Sequence, residues 1–551
     1  MPSIQGYAMS NKHLVVKNLS VLFSYDNHVV EGLSFSIEKG QTVALVGESG
    51  SGKSMTALAI TQLLPLAAKL DEKSEIIFDG EDLLSKSEID MRKIRGGKIA
   101  TIFQEAITAL NPVLTIGQQL DEVLKVQCKL NKKERRERAF SLLGEVGLQD
   151  PENVYQSYTH ELSGGMKQRA MIAIALAGEP ELLIADEPTT ALDVTIQAQV
   201  ISLLKKIQQK RKMSMLFITH DLGIVYQIAD YVVVMRHGKL IEQADTKSFY
   251  KNPQNDYSKA LFAAIPNFRM RDVAKKHIEE KLPLLTVRDL KIYFPIKKGV
   301  FKRTVGNVKA VDGVSLNIYK GNTLALVGES GSGKTTTGMG LLRLYALSGG
   351  QIDYNNLNIG ALSARKFNPY RKDLQIIFQD PYSSMNPRMI IQDIIEEGMI
   401  AQKIGDSASR EKRIGELLEL VGLDPEYRFR YPHEFSGGQR QRICIARALA
   451  MEPKFIVCDE PTSALDVSVQ MNILKLLVKL QNELELTYLL ITHDFSVVAA
   501  MADEVAVMYH GKIVESGATE SVLKNPQHEY TKKLLSAVPV IEEISEECNE
   551  V

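Results

Sequence analysis

The chain carries one set of sequence motifs twice, in the same order and at nearly constant spacing. The glycine-rich loop GESGSGKS begins at Gly47, and its near copy GESGSGKT begins at Gly328. An SGG turn at Ser163 recurs 273 positions later at Ser436. Three further pairs keep that offset of 273, namely Asp186 and Asp459, His220 and His493, and Tyr257 and Tyr530. Self-similarity over so long a span predicts one domain present in two copies.

The ends of the two copies also match, which gives the predicted domain boundaries. KNPQNDYSKALFAAIP closes the first copy at Pro266, and KNPQHEYTKKLLSAVP closes the second. Between the copies, the segment NFRMRDVAKKHIEEK is polar and rich in charges of both signs, as is typical of an exposed linker. We therefore predict domains at residues 1–266 and 283–541, a linker at 267–282 and an acidic tail at 542–551.

Charge and cysteine content narrow the class of protein. The 66 basic and 67 acidic residues nearly cancel, so we expect no overall field that attracts nucleic acid or anionic lipid. The four cysteines are scattered, which disfavours a zinc site or a disulfide framework and indicates a reducing, cytoplasmic setting. No run reaches the roughly 18 apolar residues of a membrane-spanning helix, and the first residues lack a signal-peptide pattern. We expect any membrane role to depend on other subunits.

Local patterns predict the same order of strands and helices in both halves. In TVALVGESGSGKS a short apolar run leads into the glycine loop, and the following MTALAITQLL has helical periodicity. ELLIADEP, KFIVCDEP, SMLFITHD and TYLLITHD are apolar runs with polar ends, typical of parallel strands covered on both faces. The stretch between Gln104 and Ser163 is predicted to be mainly helical. Each half is therefore predicted to be an α/β domain with a helical insert.

The two glycine loops predict two ATP sites. Such loops let backbone N–H groups converge on phosphate oxygens at the start of a helix. We expect Lys53 and Lys334 to reach the β- and γ-phosphates, and the hydroxyls of Ser54 and Thr335 to bind Mg²⁺. The predicted phosphate-binding residues are Gly47, Glu48, Ser49, Gly50, Ser51, Gly52, Lys53 and Ser54 in the first half, and Gly328, Glu329, Ser330, Gly331, Ser332, Gly333, Lys334 and Thr335 in the second.

Two consecutive carboxylates at the end of an apolar strand predict the hydrolytic part of each site. Asp186 and Asp459 are expected to hold the metal through its water shell, and a capped strand end is the alternative interpretation. Glu187 and Glu460 follow directly. We expect them to polarise the attacking water, because phosphoryl transfer depends on positioning more than on covalent chemistry.

A histidine and a glutamine also recur in both halves. His220 and His493 follow apolar strands and are expected to contact the γ-phosphate and to orient the water or the glutamate. A histidine satisfied within the core is the alternative. Gln104 and Gln379, in IFQE and IFQD, are expected to sense the metal and the water, and an ordinary loop amide is the alternative.

The segments LSGGMKQR and FSGGQRQR predict a second phosphate clamp. Each places a hydroxyl and open backbone N–H groups at the start of a helix, through Ser163, Gly164 and Gly165 in the first half and Ser436, Gly437 and Gly438 in the second. A P-loop ATPase does not need this turn for its own nucleotide. We therefore expect the two domains to pair head to tail within one chain, each completing the other's site.

These motifs resemble those of ATP-binding-cassette (ABC) transporter ATPases over nearly the whole chain. The resemblance implies two nucleotide-binding domains, each with a parallel-sheet core, an antiparallel β subdomain and a helical subdomain. It identifies Ser163 and Ser436 as signature serines. It also implies an aromatic residue that stacks on adenine upstream of each glycine loop. Tyr25 and Phe294 are the candidates, and a strand aromatic in the core is the alternative for either.

Within that family, FQDPYSSMNPRM and the closing NPQHEYTKKLLSAVP resemble segments of the peptide and nickel importer group. This implies two transmembrane permease subunits, an external solute-binding protein and a peripheral position at the cytoplasmic face of the plasma membrane. The solute stays open between peptides, glutathione-like compounds, peptide antibiotics and nickel. A soluble ATPase acting on ribosomes or DNA is disfavoured by the short linker and the lack of zinc cysteines. An exporter ATPase is disfavoured by the two importer-type tails.

Overall fold

The computed structural model describes residues 12–24, 27–104, 106–190, 192–264, 282–298, 303–463, 465 and 467–537. The chain divides into two compact units. The described residues of the first lie within 12–192 and 196–264, and those of the second within 193–195 and 282–537. Among the described residues, no helix combines the length and the apolar character needed to cross a bilayer.

The first unit contains two sheets and a set of helices. Its strands are β1 (Lys12–Ser24), β2 (Asn27–Glu38), β3 (Thr42–Val46), β4 (Lys69–Leu70), β5 (Glu75–Phe78), β6 (Glu81–Asp82), β7 (Ile99–Ile102), β8 (Leu182–Asp186), β9 (Ser214–Thr219), β10 (Tyr231–Arg236) and β11 (Lys239–Asp245). Its helices are α1 (Lys53–Ile60), α2 (Glu88–Ile94), α3 (Ala106–Ala109), α4 (Ile116–Val126), α5 (Lys132–Glu145), α6 (Pro151–Gln156), α7 (Gly164–Leu176), α8 (Val194–Arg211), α9 (Leu222–Ile228), α10 (Thr246–Lys251) and α11 (Asp256–Ala264).

The second unit follows the same plan. Its strands are β12 (Pro283–Lys298), β13 (Arg303–Tyr319), β14 (Thr323–Val327), β15 (Gly349–Tyr354), β16 (Leu357–Asn358), β17 (Leu374–Ile377), β18 (Phe455–Asp459), β19 (Thr487–Thr492), β20 (Glu504–Tyr509) and β21 (Lys512–Ala518). Its helices are α12 (Lys334–Leu341), α13 (Ala364–Phe367), α14 (Ile391–Ala401), α15 (Ser407–Leu420), α16 (Gly437–Leu449), α17 (Val467–Leu484), α18 (Phe495–Met501), α19 (Thr519–Lys524) and α20 (Glu529–Ser536).

A six-stranded sheet forms the centre of each unit. The order is β11-β10-β3-β9-β8-β7 in the first and β17-β18-β19-β14-β20-β21 in the second. All neighbours are parallel except the hairpins β10–β11 and β20–β21. Strands β3, β8 and β9 are buried along their whole length, as their continuous apolar runs predicted. The carboxyl ends of these strands carry the glycine loop, the carboxylates and the histidine, so the sheet brings the predicted site residues to one edge.

An antiparallel sheet and a helical insert complete each unit. In the first unit β1 pairs with β2, β4 and β5, and in the second β12 pairs with β13 and β15. The helical insert of the first unit runs through α3 to α7, and its buried residues, such as Leu120 and Leu142, share one apolar core with the central sheet. Capping boxes at Thr115 and Asn131 begin α4 and α5, because each side chain accepts backbone N–H groups that lack helical partners. The predicted α/β fold with a helical insert is confirmed in both units.

One buried position differs in kind between the two repeats. His13 in β1 is 3% exposed, and its Nδ1 lies 2.7 Å from Ser214 Oγ. The register of β1 and β12 gives Leu284 as its counterpart, because Leu14 and Leu285 pair with Ile37 and Ile318. Burial, helped by the nearby Lys39 ammonium, holds the pKa of His13 below its usual 6.5.

We expect the substitution His13→Leu to make stability less dependent on pH. The unfolded chain takes up a proton near pH 6.5, whereas folded His13 takes it up only at lower pH, so the wild-type protein loses stability as the pH falls below about 6.5. The variant lacks this loss, which for one proton is at most about 1.4 kcal/mol per pH unit. Urea unfolding between pH 7.5 and 5.5 measures the difference. The control is His28→Leu, at an exposed position of β2, and equal slopes for wild type and His13→Leu would contradict the prediction.

Candidate phosphate-binding and hydrolytic sites

The glycine loop in each unit connects a central strand to a helix. In the first unit it runs from the end of β3 to the start of α1 at Lys53, and in the second from β14 to α12 at Lys334. Gly52 precedes α1 with φ 96°, and an added Cβ would lie 2.6 Å from the Val29 carbonyl oxygen. Glycine alone fits this left-handed, crowded position, so the chain can turn sharply and leave backbone N–H groups at the helix start.

The lysine of each loop bends back over the loop itself. Lys53 Nζ donates to the carbonyl oxygens of Gly47 and Glu48 at 2.7 and 2.9 Å. Lys334 Nζ makes the same two bonds in the second unit, to Gly328 at 2.7 Å and Glu329 at 3.0 Å. Both lysine residues are 5% exposed. Two ammonium groups are therefore positioned above the loops where the sequence predicts phosphate.

A hydroxyl and a carboxylate meet directly after each lysine. Ser54 Oγ donates to Asp186 Oδ1 at 3.1 Å, and Thr335 Oγ1 donates to Asp459 Oδ1 at 2.9 Å. Burial raises the pKa of both carboxyl groups, that of Asp459 to about 6, although the neighbouring hydroxyl bond opposes the rise.

This donor set fits Mg²⁺, which binds hard oxygen ligands and keeps most of its coordination for water and phosphate. A buried carboxylate whose pKa is raised also gains from a cation beside it. Among the described residues no cluster of three or more His, Cys, Asp or Glu side chains is arranged to hold a metal. In each unit a hydroxyl and a carboxylate therefore lie together directly after the loop lysine, where a metal ion could use both oxygens.

Two predicted residues, a glutamine and a histidine, contact each glutamate. In the first unit, Gln104 Nε2 donates to Glu187 Oε2 at 2.9 Å, and His220 Nδ1 lies 3.4 Å from Glu187 Oε1. In the second unit, Gln379 Nε2 donates to Glu460 at 2.8 Å, and His493 Nδ1 lies 3.1 Å from Glu460 Oε1. Both glutamines therefore contact the predicted water-orienting carboxylate directly.

The histidine keeps each glutamate ionised. Burial alone disfavours the charged carboxylate, but the hydrogen bond and charge of His220, together with the charge of Lys53, outweigh it and lower the pKa of Glu187 to about 2. Burial would likewise lower the pKa of His220, yet the bond and charge of Glu187 raise it. The pKa of Glu460 is lowered and that of His493 raised for the same reasons. At neutral pH both glutamates therefore accept hydrogen bonds.

The backbone at both glutamates adopts a conformation that side chains rarely take. The φ angles of Glu187 and Glu460 are 45° and 43°. A non-glycine residue in the left-handed region costs free energy, and such residues are found preferentially at functional sites. Thr190 Oγ1 also donates to Glu187 Oε2 at 2.9 Å. The sequence motifs did not predict a role for this threonine. Its position three residues after the glutamate was the only sequence feature that pointed to such a contact.

The SGG turns begin long helices, as predicted. Ser163 and Ser436 are the N-caps of α7 and α16, and their hydroxyls accept the N–H groups of Met166 and Gln439 at 3.4 Å. In the second unit Gln439 Oε1 also accepts the N–H of Ser436 at 3.0 Å, which completes a capping box. Met166, at the corresponding position of the first unit, has no side-chain oxygen that could accept such a hydrogen bond. The clamp role of both turns stays a prediction.

The two candidates for adenine stacking have different outcomes. Tyr25 lies outside the described residues. Phe294, in β12, is 38% exposed, and its ring meets the ring of Tyr345 edge to face at 5.4 Å. Phe294 is therefore a surface aromatic rather than part of the core, and its role stays a prediction.

Comparison with known proteins places this geometry in a family. The ABC transporter family matches residues 30–190 and 311–463, and the oligopeptide/dipeptide transporter C-terminal region matches residues 241–289 and 514–550. The chain is 48% identical to a peptidoglycan transport ATP-binding protein of Agrobacterium fabrum, over 96% of this chain and 97% of that protein. It is 45% identical to a glutathione import ATP-binding protein of Escherichia coli K12, over 96% of this chain and 90% of that protein.

The paired loops, carboxylates and histidines therefore occur in a chain whose relatives match it over nearly their full length. ATP is the nucleotide that such domains bind and hydrolyse. The chain belongs to the ABC transporter family, as an ATP-hydrolysing subunit with two nucleotide-binding cassettes on one polypeptide.

Proposed function

We propose that this chain energises the import of a peptide or peptide-like solute by binding and hydrolysing two ATP molecules. The observation that carries the proposal is the oligopeptide/dipeptide transporter C-terminal region, which follows both cassettes. Relatives named for peptidoglycan transport and glutathione import support a solute with peptide bonds. Nickel and peptide antibiotics are the other solutes compatible with the sequence resemblance.

The residues of each glycine loop bind the phosphates in this proposal. Backbone N–H groups at the helix start and the ammonium of Lys53 or Lys334 face the phosphate oxygens. Ser54 with Asp186, and Thr335 with Asp459, would hold Mg²⁺. When bound, Mg²⁺ neutralises part of the phosphate charge.

Glu187 and Glu460 orient the attacking water. Each carboxylate can accept a hydrogen bond from the water and polarise it, because phosphoryl transfer depends on positioning more than on covalent chemistry. The contacts from His220 and Gln104, and from His493 and Gln379, hold each carboxylate in place. The glutamine and the histidine therefore position the glutamate in each unit.

The signature turns complete the sites across the two cassettes. Ser163 and Ser436, with the glycines that follow them, present a hydroxyl and N–H groups suited to a γ-phosphate. This step rests on the sequence argument that one domain does not need two phosphate clamps for one nucleotide. Binding of two ATP molecules then favours pairing of the cassettes, and hydrolysis releases it.

The partners in this proposal are two transmembrane permease subunits and an external solute-binding protein. One relative is named as a glutathione import ATP-binding protein. Import requires a path through the membrane, which supports permease partners for this chain. The chain then lies at the cytoplasmic face of the plasma membrane, attached through the permeases. Selection of the solute belongs to the other subunits.

Affinity capture of the tagged full chain from gently solubilised membranes tests this function. We expect two multispanning permeases to be recovered with the chain in the presence of ATP. A matched capture with an unrelated tagged ATPase is the control. Recovery of ribosomes or nucleic acid in place of permeases would overturn the import proposal, and the ATPase assignment would stand.

A further inference from the structure

We propose that Tyr530, in the transporter-type C-terminal region, positions the phosphate loop of the second cassette. Tyr530 lies in α20, beyond the residues that match the ABC cassette itself. The inference rests on the proposed phosphate-binding role of residues 328–335 and adds a residue that this role does not include. Tyr530 acts through the loop backbone, so it is a positioning residue.

The contact is a hydrogen bond from the loop backbone to the tyrosine. The N–H of Glu329 donates to Tyr530 Oη at 3.0 Å. Tyr530 is 8% exposed and the contact is partly buried, so water has limited access to it. A buried backbone N–H that loses its acceptor costs free energy, and the loop would have to move to find another one.

The same peptide group also holds the lysine. The N–H of Glu329 and the carbonyl of Gly328 belong to one planar peptide unit. The N–H of this peptide unit donates to Tyr530 Oη. The carbonyl oxygen of the same unit accepts a hydrogen bond from Lys334 Nζ at 2.7 Å. Hydrogen bonds in series strengthen one another, so the tyrosine fixes both the plane of the peptide and its bond to the ammonium. The C-terminal region is therefore connected to the charge that meets the phosphates.

The tyrosine is itself held firmly on the central sheet. Its ring packs on the ring of Tyr509, at the end of β20, with centroids 4.1 Å apart. The Glu515 carboxylate, on β21, accepts the N–H groups of Gln527 and His528 just before α20. Burial raises the pKa of Tyr530 to about 12, so its hydroxyl stays neutral at physiological pH. A rigid support of this kind can define the position of a loop.

The first cassette holds the matching tyrosine differently. Tyr257 is the counterpart of Tyr530, and Arg236 replaces Tyr509. The Arg236 guanidinium lies over the Tyr257 ring at 4.6 Å. The proposal concerns the second cassette, where the bond to the loop is present.

The test removes only the Tyr530 hydroxyl and measures ATP binding at the second loop. The substitution Tyr530→Phe is made in a chain that also carries Lys53→Ala, so that the first loop contributes little. Isothermal titration with a non-hydrolysable ATP analogue and Mg²⁺ then gives the Kd. We expect Tyr530→Phe to raise the Kd about threefold to tenfold, the range for one lost hydrogen bond. Tyr509→Phe, which keeps the ring stack, is expected to stay within about twofold.

A second readout separates positioning from folding. In the otherwise unchanged chain, Tyr530→Phe is expected to raise the KM for ATP more than it lowers kcat. A lower Tm with an unchanged KM would show a merely structural role and overturn the proposal, as would an unchanged Kd in the titration. The phosphate-loop role fails separately if Lys53→Ala with Lys334→Ala binds the analogue as tightly as Lys53→Ala alone.

Discussion

Replacing Glu187 and Glu460 by glutamine in the same chain is expected to lower ATP turnover by about a hundredfold to a thousandfold while ATP binding is retained. The amide keeps the size of the side chain but loses the negative charge that orients the water. It also loses the charge that pairs with His220 and His493. Phosphate release measures the turnover, and ATP retained after rapid gel filtration measures the binding.

The repeat supplies a matched control for this double substitution. Glu179 and Glu452 occupy corresponding positions in the two halves, and their side chains are 65% and 78% exposed. Glu179→Gln with Glu452→Gln makes the same chemical change at the surface and is expected to leave turnover within about twofold. Unchanged turnover in the Glu187 and Glu460 variant would contradict the proposed role of these carboxylates.

Replacing Lys53 and Lys334 by alanine is expected to weaken ATP binding at each loop by about a hundredfold. Each ammonium makes charge-assisted contacts, which are about twice as strong as neutral hydrogen bonds, and no other side chain in the loops carries a positive charge. The loss also removes the donor that bonds to two loop carbonyl oxygens, so the loop itself is less well ordered. Equilibrium titration with ATP and Mg²⁺ measures the Kd.

Surface lysines at matching positions are the control for this second variant. Lys39 and Lys320 precede the corresponding central strands and pair with Asp79 and Glu485 at 2.8 and 2.9 Å. Exposed pairs of this kind contribute little, so alanine at both positions is expected to leave ATP affinity within about twofold. Tight ATP binding by the Lys53 and Lys334 variant would exclude these loops as the nucleotide sites.

The fold could be predicted largely because its signals are local and repeated. The apolar runs ending at Asp186 and Asp459 are strands buried on both faces, and the stretch between Gln104 and Ser163 is mainly helical, as both patterns predicted. Backbone geometry near the glycine loops follows from residues close in sequence. The adenine contact was less predictable, because an aromatic residue in a strand fits a core and a ligand equally well.

Sequence alone predicted which residues carry the chemistry in each half. Their spacing is short, and glycine, lysine and paired carboxylates have few structural uses in that pattern. Only the tertiary structure decided how these residues contact one another. Gln104 bonds to Glu187 from 83 positions away, and Tyr530 reaches Glu329 from 201 positions away. Such contacts depend on strand order and on packing between distant segments, which leave no periodic or local trace in the chain.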